Sequence, residues 1–243
     1  MRIIPVIDIS GGVAVHAVRG MRKNYRPLKS VLCSSADPVK VAISLKAFGF
    51  SELYVADLDA ISGGSVNSLL LKRIIDTTEL KLMVDAGVSN MARASEMLNY
   101  GVSKIIIGTE TLPNIRFVAE AVEAHGAEKI VVSLDLKGDK VLSGFELGEF
   151  ADLVTFLREL KTLGVSQIII LDLSKVGSQE GINLEVIQKV LKHIMVEVLV
   201  GGGVRNIADL IELKRLGVSG VLVATALHSG KISHENLTEA SLL

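Results

Sequence analysis

Residues 81–109, KLMVDAGVSNMARASEMLNYGVSKIIIGT, and residues 197–225, EVLVGGGVRNIADLIELKRLGVSGVLVAT, are one passage written twice, with 10 of 29 positions identical at a constant offset of 116. Each copy is an apolar run, a small-residue turn, an Asn, a stretch of helical period, a glycine stop and a second apolar run. That order reads as strand, helix, strand, with Asn90 and Asn206 as helix caps and Gly101 and Gly217 as helix ends. A second pair of segments, LYVADLDAISGGSVN from Leu53 and IIILDLSKVGSQEGIN from Ile168, repeats in the same way.

Working outward, eight short apolar runs end in a small or acidic residue: at Asp8, Asp57, Asp85, Gly108, Asp135, Asp172, Gly201 and Ala224. Helical segments separate them, and Asp37-Pro38 opens one that Gly49 closes. The interval of 49 residues from Asp8 to Asp57 and that of 37 from Asp135 to Asp172 are the long first steps of two similar halves. Half a barrel leaves two open sheet edges and two halves close them, so the expected fold is α/β, a (β/α)8 TIM barrel built from two duplicated half-barrels. An open doubly wound sheet is the competitor. No GxGxxG follows the first strand, which removes the usual support for a dinucleotide fold.

Length and composition agree. With 243 residues and 49% hydrophobic content, residues 1–243 are read as a single barrel domain with no need of a disulfide or structural metal. The charge of −1 excludes a generally basic nucleic-acid binder, and no run reaches the roughly 18 apolar residues of a membrane span. One cysteine, Cys33, and a start without a signal-like apolar core point to the cytoplasm.

Chemistry in such a barrel sits at the carboxyl ends of the strands. Five strands end there in Asp: Asp8, Asp57, Asp85, Asp135 and Asp172. Any one of them could be a helix cap. Five in one mouth would repel and raise a carboxyl pKa into the range useful for acid–base work, or would ligate a hard cation. The turn Gly201-Gly202-Gly203 with Val223-Ala224-Thr225 has the position of a barrel phosphate site, where glycines let backbone N–H groups approach an anion.

The motifs VIDIS, DPV, YVADLDA, SLDLKG and VLVGGGVRN resemble the histidine-biosynthesis barrels of the HisA and HisF type, over essentially the whole chain. The resemblance implies an isomerase performing an Amadori aldose–ketose rearrangement without a cofactor. The related cyclase uses aspartates after strands 1 and 5 and takes ammonia from a glutaminase partner. It further implies Asp8 and Asp135 as proton-transfer groups, Gly202, Gly203, Ala224 and Thr225 as the second-half phosphate site, and Gly108 and Thr109 as the remnant of a first-half site. Phe145 falls where the isomerase has a substrate-stacking aromatic, with a core phenylalanine as the alternative.

Three departures qualify this. Lys175-Val176-Gly177-Ser178 stands where the isomerase carries its second carboxylate, so Asp172 or Asp85 is the substitute. Asp85-Ala86-Gly87 stands where the family has three glycines, and a carboxylate about 5 Å from a phosphate dianion costs on the order of 6 kcal/mol. His16 stands where the family has Arg or Lys. The basic loop with Arg19, Arg22, Lys23, Arg26 and Lys29 reads as a lid over an anion. The expectation is an isomerase of a singly phosphorylated sugar-like substrate, with Asp8, Asp135 and Asp172 catalytic and Asp85, Phe145, His16 and Arg19 contacting substrate. Two rivals are a barrel that binds a phosphometabolite or docks a glutaminase without chemistry, and a metal-dependent phosphosugar lyase. The leading reading assigns no metal and no cofactor, and neither nucleic acid nor membrane as partner. A homo-oligomer or a glutaminase partner is left open.

Overall fold

The computed structural model describes residues 1–138, 140–146 and 152–243. Among the described residues, eight parallel strands alternate with helices: β1 (Arg2–Ser10), β2 (Glu52–Asp57), β3 (Lys81–Asp85), β4 (Lys104–Gly108), β5 (Ile130–Lys137), β6 (Gln167–Asp172), β7 (Glu197–Gly201) and β8 (Gly220–Val223). Each pairs with the next, and β8 returns to β1 with Ile4 opposite Leu222, so the sheet closes. The expected (β/α)8 barrel is the fold. Two additions escape a reading by apolar runs. Val13–His16 folds back antiparallel on β1 and carries Arg26–Pro27 as a further short strand, and Lys140–Val141 folds back on β5.

Helix ends follow local chemistry. Helix α1 (Pro38–Phe48) starts where the Asp37 carboxylate accepts the N–H groups of Val39 and Lys40, and it ends at Gly49 in the left-handed region at φ 116°. Helices α2 (Ser68–Thr78), α3 (Met91–Asn99), α4 (Arg116–His125), α5 (Leu153–Thr162), α6 (Leu184–His193), α7 (Ile207–Leu216) and α8 (His234–Glu239) complete the outer ring. Asn90 and Asn206, the repeated caps, accept from Arg93 N at 2.9 Å and Ala208 N at 3.0 Å. In α6 the residues Val186, Ile187 and Val190 form the buried stripe.

Strand alternation creates two cores. Ile3, Ile7, Val55, Val84, Ile107, Val132, Ile168, Ile170 and Val200 face the helices. Ile4, Tyr54, Met83, Ile106, Val131, Ile169, Leu199 and Leu222 fill the barrel interior. Two residues below that inner layer on their strands, the interior positions are polar. Arg2 pairs with Glu52 at 3.0 Å and Glu197 at 2.9 Å, Gln167 donates to Glu197, and Lys104 donates to Gln167 at 2.8 Å. Burial, then the neighbouring Arg2 charge, lower the Lys104 pKa. This network floors the barrel. At the opposite end the same alternation brings up Asp8, Asp85, Gly108, Asp135 and Gly201.

Candidate active site

Above the inner core lies a cavity of about 1000 Å³ at the carboxyl ends of the strands. Asp8, Tyr54, Asp85, Glu110 and Asp135 line it from the sheet side. Strands β1 and β5 are opposite one another in the closed order, so Asp8 and Asp135 face the cavity from two sides.

The electrostatics of the three inward aspartates follow from their surroundings. Asp8 is half-buried, and desolvation pushes its pKa up to about 7. Asp135 is buried and reaches about 7, first through burial and then through the Asp85 charge, even though it accepts from Ser133 Oγ at 2.9 Å and Glu110 N at 3.1 Å. Asp85, also buried, rises to about 6 by desolvation, while bonds from Gly87 N at 3.1 Å and the Tyr54 phenol hold it down. Tyr54 itself is driven well above its ordinary value by burial and then by the Asp85 and Asp135 charges, so it stays a donor. Carboxyl groups near pH 7 can both give and take protons under neutral conditions.

The other two strand-end aspartates do not belong to this set. Asp57 accepts from Ala60 N at 3.2 Å, Asn67 N at 2.7 Å and Asn67 Nδ2 at 2.9 Å, bracing its own loop. Asp172 follows Ile168 and Ile170 on the helix-facing side of β6, and its Oδ1 accepts from Ser174 N at 3.0 Å and Ser174 Oγ at 2.5 Å. Alternation thus turns Asp172, the third carboxylate expected to be catalytic, away from the cavity, which its neighbours Leu171 and Leu173 line instead. Val176, in the place of the missing acid, also lines the cavity. Phe145, the expected stacking aromatic, packs against the outer core and is not among the residues that line the cavity.

The two glycine-turn positions differ. In the second half Gly202, Gly203, Ala224 and Thr225 all line the cavity. Gly202 and Gly203 have φ of 94° and 88°, and a Cβ on them would stand 2.5 Å from the Asp172 carbonyl oxygen and 2.4 Å from that of Gly181. Only glycine fits both positions. His16 reaches across from the β1 arm to this turn, with Nε2 3.1 Å from Thr225 Oγ1. In the first half Gly108 lines the cavity, but a Cβ there would lie 2.9 Å from Asp135 Oδ2 and 3.5 Å from Asp85 Oδ2. Thr109 is fully buried, and its hydroxyl accepts from Asp135 N at 3.0 Å, bracing Asp135.

The basic loop after β1 lines the mouth of the cavity from Arg19 to Tyr25. Arg19 N donates to the Val176 carbonyl at 2.9 Å, and its guanidinium pairs with Glu180. Arg22 donates to Ser62 Oγ at 3.0 Å and meets Glu110 at 3.5 Å, while Gly177 at φ 67° passes so near Ala17 that a Cβ would lie 2.1 Å from its carbonyl oxygen. Tyr25 rides on this loop at the cavity wall, its pKa pushed up to about 12 by burial and then by the Asp8 charge. Tyr54, Glu110 and Tyr25 were not singled out from sequence. Tyr54 had a signal, since it sits two residues before the inward Ala56.

The histidine biosynthesis protein model matches residues 2–233. The chain is 34% identical over 240 residues, covering 98% of both chains, to the 1-(5-phosphoribosyl)-5-((5-phosphoribosylamino)methylideneamino)imidazole-4-carboxamide isomerase of Lachnoclostridium phytofermentans. It is 35% identical over 238 residues to the isomerase of that name from Desulforudis audaxviator, covering 96% of this chain and 88% of that one. It is 37% identical over 240 residues to an uncharacterized protein of Methanocaldococcus jannaschii, covering 98% and 97%. Among the described residues, no helix is long and apolar enough to cross a membrane.

Proposed function

Because the chain belongs to the histidine biosynthesis protein family, we propose that residues 1–243 act as one barrel domain that isomerises a phosphorylated, ribosyl-like metabolite by carboxylate acid–base chemistry. The observation that carries this reading is the pair Asp8 and Asp135, set on opposite strands of one cavity with pKa values near 7. In an aldose–ketose rearrangement of a glycosylamine, an acid protonates the ring oxygen as the C1–O bond breaks, giving an iminium at C1. A base then removes the C2 proton, and the resulting enaminol takes a proton at C1 as its hydroxyl loses one. The net proton count is zero, so two carboxyl groups near neutrality suffice, one protonated and one ionised at the start.

Asp8 is assigned as the acid, since it is the half-buried member beside the lid phenol of Tyr25, and Asp135 as the base held by Ser133 and Glu110 N. Gly202, Gly203, Ala224 and Thr225 hold the phosphate, His16 supports Thr225, and Arg19 closes the lid. Asp85 excludes a second phosphate at the β3 turn by repulsion, which favours a substrate with one phosphate. The reaction belongs in the cytoplasm with other small phosphorylated metabolites. The test is turnover of the glycosylamine substrate of the named relatives and of singly phosphorylated analogues. Loss of turnover in Asp8→Asn with phosphate binding intact is the expected result, and full turnover in that variant refutes the mechanism.

Val176 supports a second reading, in which the barrel binds a phosphometabolite without transforming it. Thermal stabilisation by phosphosugars with no turnover of any would favour it.

A further inference from the structure

Among the described residues, the aromatic side chains that line the main cavity are Tyr25 and Tyr54. Tyr54 is only 4% exposed and its phenol is engaged with Asp85. Phe145 packs in the outer core. Half-buried Tyr25 is therefore the aromatic residue with ring surface to offer a ligand.

Strand register explains how a loop residue comes to face inward. The arm after β1 folds back twice, so that Asp8 stands opposite Val15 and Val15 opposite Pro27. Cross-strand partners share a face of the sheet, and the Asp8, Val15 and Pro27 side chains therefore point the same way. Tyr25 comes two residues before Pro27 in extended backbone, at φ −64° and ψ 143°, and alternation returns its side chain to that face. The packing agrees: Val15 and Tyr25 both lie against the inner core, and Asp8 and Tyr25 both line the cavity. The position is also held. Arg26 is paired with His16, Leu28 N donates to the Ala14 carbonyl at 2.8 Å, and Tyr25 N donates to that of Arg22 at 3.2 Å.

Such a side chain has two uses. Its ring is an apolar surface, and its hydroxyl stays protonated near neutral pH, because burial and then the Asp8 charge hold its pKa high. A sugar presents the matching pair, carbon-bound hydrogens on one face and oxygens at the edge. The glycine turn at Gly202 and Gly203 recognises a phosphate but not what carries it.

We propose that Tyr25 is a ligand-contacting specificity residue, whose ring covers the carbon face of a phosphorylated sugar and whose phenol donates to a sugar oxygen on the Asp8 side of the cavity. The assignment rests on the reading above in taking this cavity as the seat of a phosphorylated, ribosyl-like metabolite. It does not depend on Asp8 acting as an acid.

The experiment is calorimetric titration of the full chain and its Tyr25→Phe and Tyr25→Ala variants with ribose 5-phosphate and, separately, with sodium phosphate at matched ionic strength. The wild type should bind ribose 5-phosphate more tightly than inorganic phosphate. Tyr25→Phe, which removes the hydroxyl alone, should weaken ribose 5-phosphate about fivefold, and Tyr25→Ala, which removes the ring as well, about thirtyfold. Inorganic phosphate should bind all three proteins alike, which also shows that the variants are folded. Ribose 5-phosphate affinity that is indifferent to both substitutions would overturn the proposal. So would equal losses for both ligands, since Tyr25 would then serve the anion and not the sugar, and so would a wild type that does not prefer ribose 5-phosphate. Turnover separates this result from the isomerase reading. The expected pattern of affinities without turnover of any sugar phosphate keeps Tyr25 in its role and removes the isomerase, whereas turnover with KM indifferent to Tyr25 removes Tyr25 alone.

Discussion

The β3–β4 turns and the β7–β8 turns descend from the same repeated passage, yet they present opposite electrostatic faces to one cavity. At the offset of 116, Asp85 corresponds to Gly201, Gly87 to Gly203, Thr109 to Thr225 and Arg93 to Asp209. In the first pair the Asp85 and Asp135 carboxylates consume the N–H groups of Gly87 and Glu110. Arg93 gathers the carbonyls of Gly64, Ala86 and Gly87 at 2.9, 3.1 and 3.2 Å. In the second pair no side-chain carboxylate among the described residues bonds to the N–H groups of Gly202 or Gly203, and Asp209 accepts Arg205 N at 2.8 Å from behind. The same helix position thus binds carbonyls in one half and an N–H in the other. Duplication supplied two equivalent turns, and the substitutions at 85 and 93 have made one of them acidic and self-satisfied while the other keeps its polar backbone open toward the cavity.

The strongest way to break this division of labour is to remove its chemistry. Asp135→Asn or Asp8→Asn should lower kcat by about 10²- to 10⁴-fold with little change in phosphate affinity, measured by steady-state kinetics and phosphate titration. Next, Gly203→Ala forces a Cβ to 2.4 Å from the Gly181 carbonyl oxygen and should abolish anchoring, raising KM by about tenfold or more, while Gly87→Ala should leave phosphate affinity alone. Equal losses of phosphate affinity in both variants would mean that the two halves have not diverged.

A subtler test is Asp85→Asn. The Asp85 charge helps raise the Asp135 pKa, so its removal should move the acid limb of kcat/KM to lower pH. The same variant carries a stability signature. Asp8, Asp85 and Asp135 all have folded pKa values above the ordinary 3.8, so their contribution to stability is fully present below that value and is lost as pH rises through about 6 to 7. Asp85→Asn should therefore raise the thermal midpoint more at pH 8 than at pH 4, by calorimetry. Arg19→Ala should have the smallest effect. An exposed ion pair is worth roughly 0.2–1 kcal/mol, and the backbone bond to Val176 remains, so a change in KM of no more than a few-fold is expected.

The barrel and its halves were legible because the repeat, the caps and the glycine stops are local signals, and so was the placing of Asp8, Asp85 and Asp135 at the mouth. Which of the five strand-end aspartates turn inward was not read, for a physical reason. Parallel strands buried on both faces show continuous apolar runs, as in IIIL before Asp172, and the run hides the alternation that separates Leu171 from Asp172. The alternation reappears only when each run is extended downward to its polar floor, as in Gln167, Ile169, Leu171 or Arg2, Ile4, Val6, Asp8.

The paired floor of Arg2, Glu52, Lys104, Gln167 and Glu197 gives the reaction chamber a plug at one end, while the tethered β1 loop crosses the other. Hydrogen lifted from the substrate then trades with bulk water by way of the mouth that this loop crosses. The fate of a deuterium label at the migrating position becomes a clock for the loop. Label carried through to product reports a chamber that stays shut for the whole rearrangement, and washed-out label reports one that breathes within a turnover.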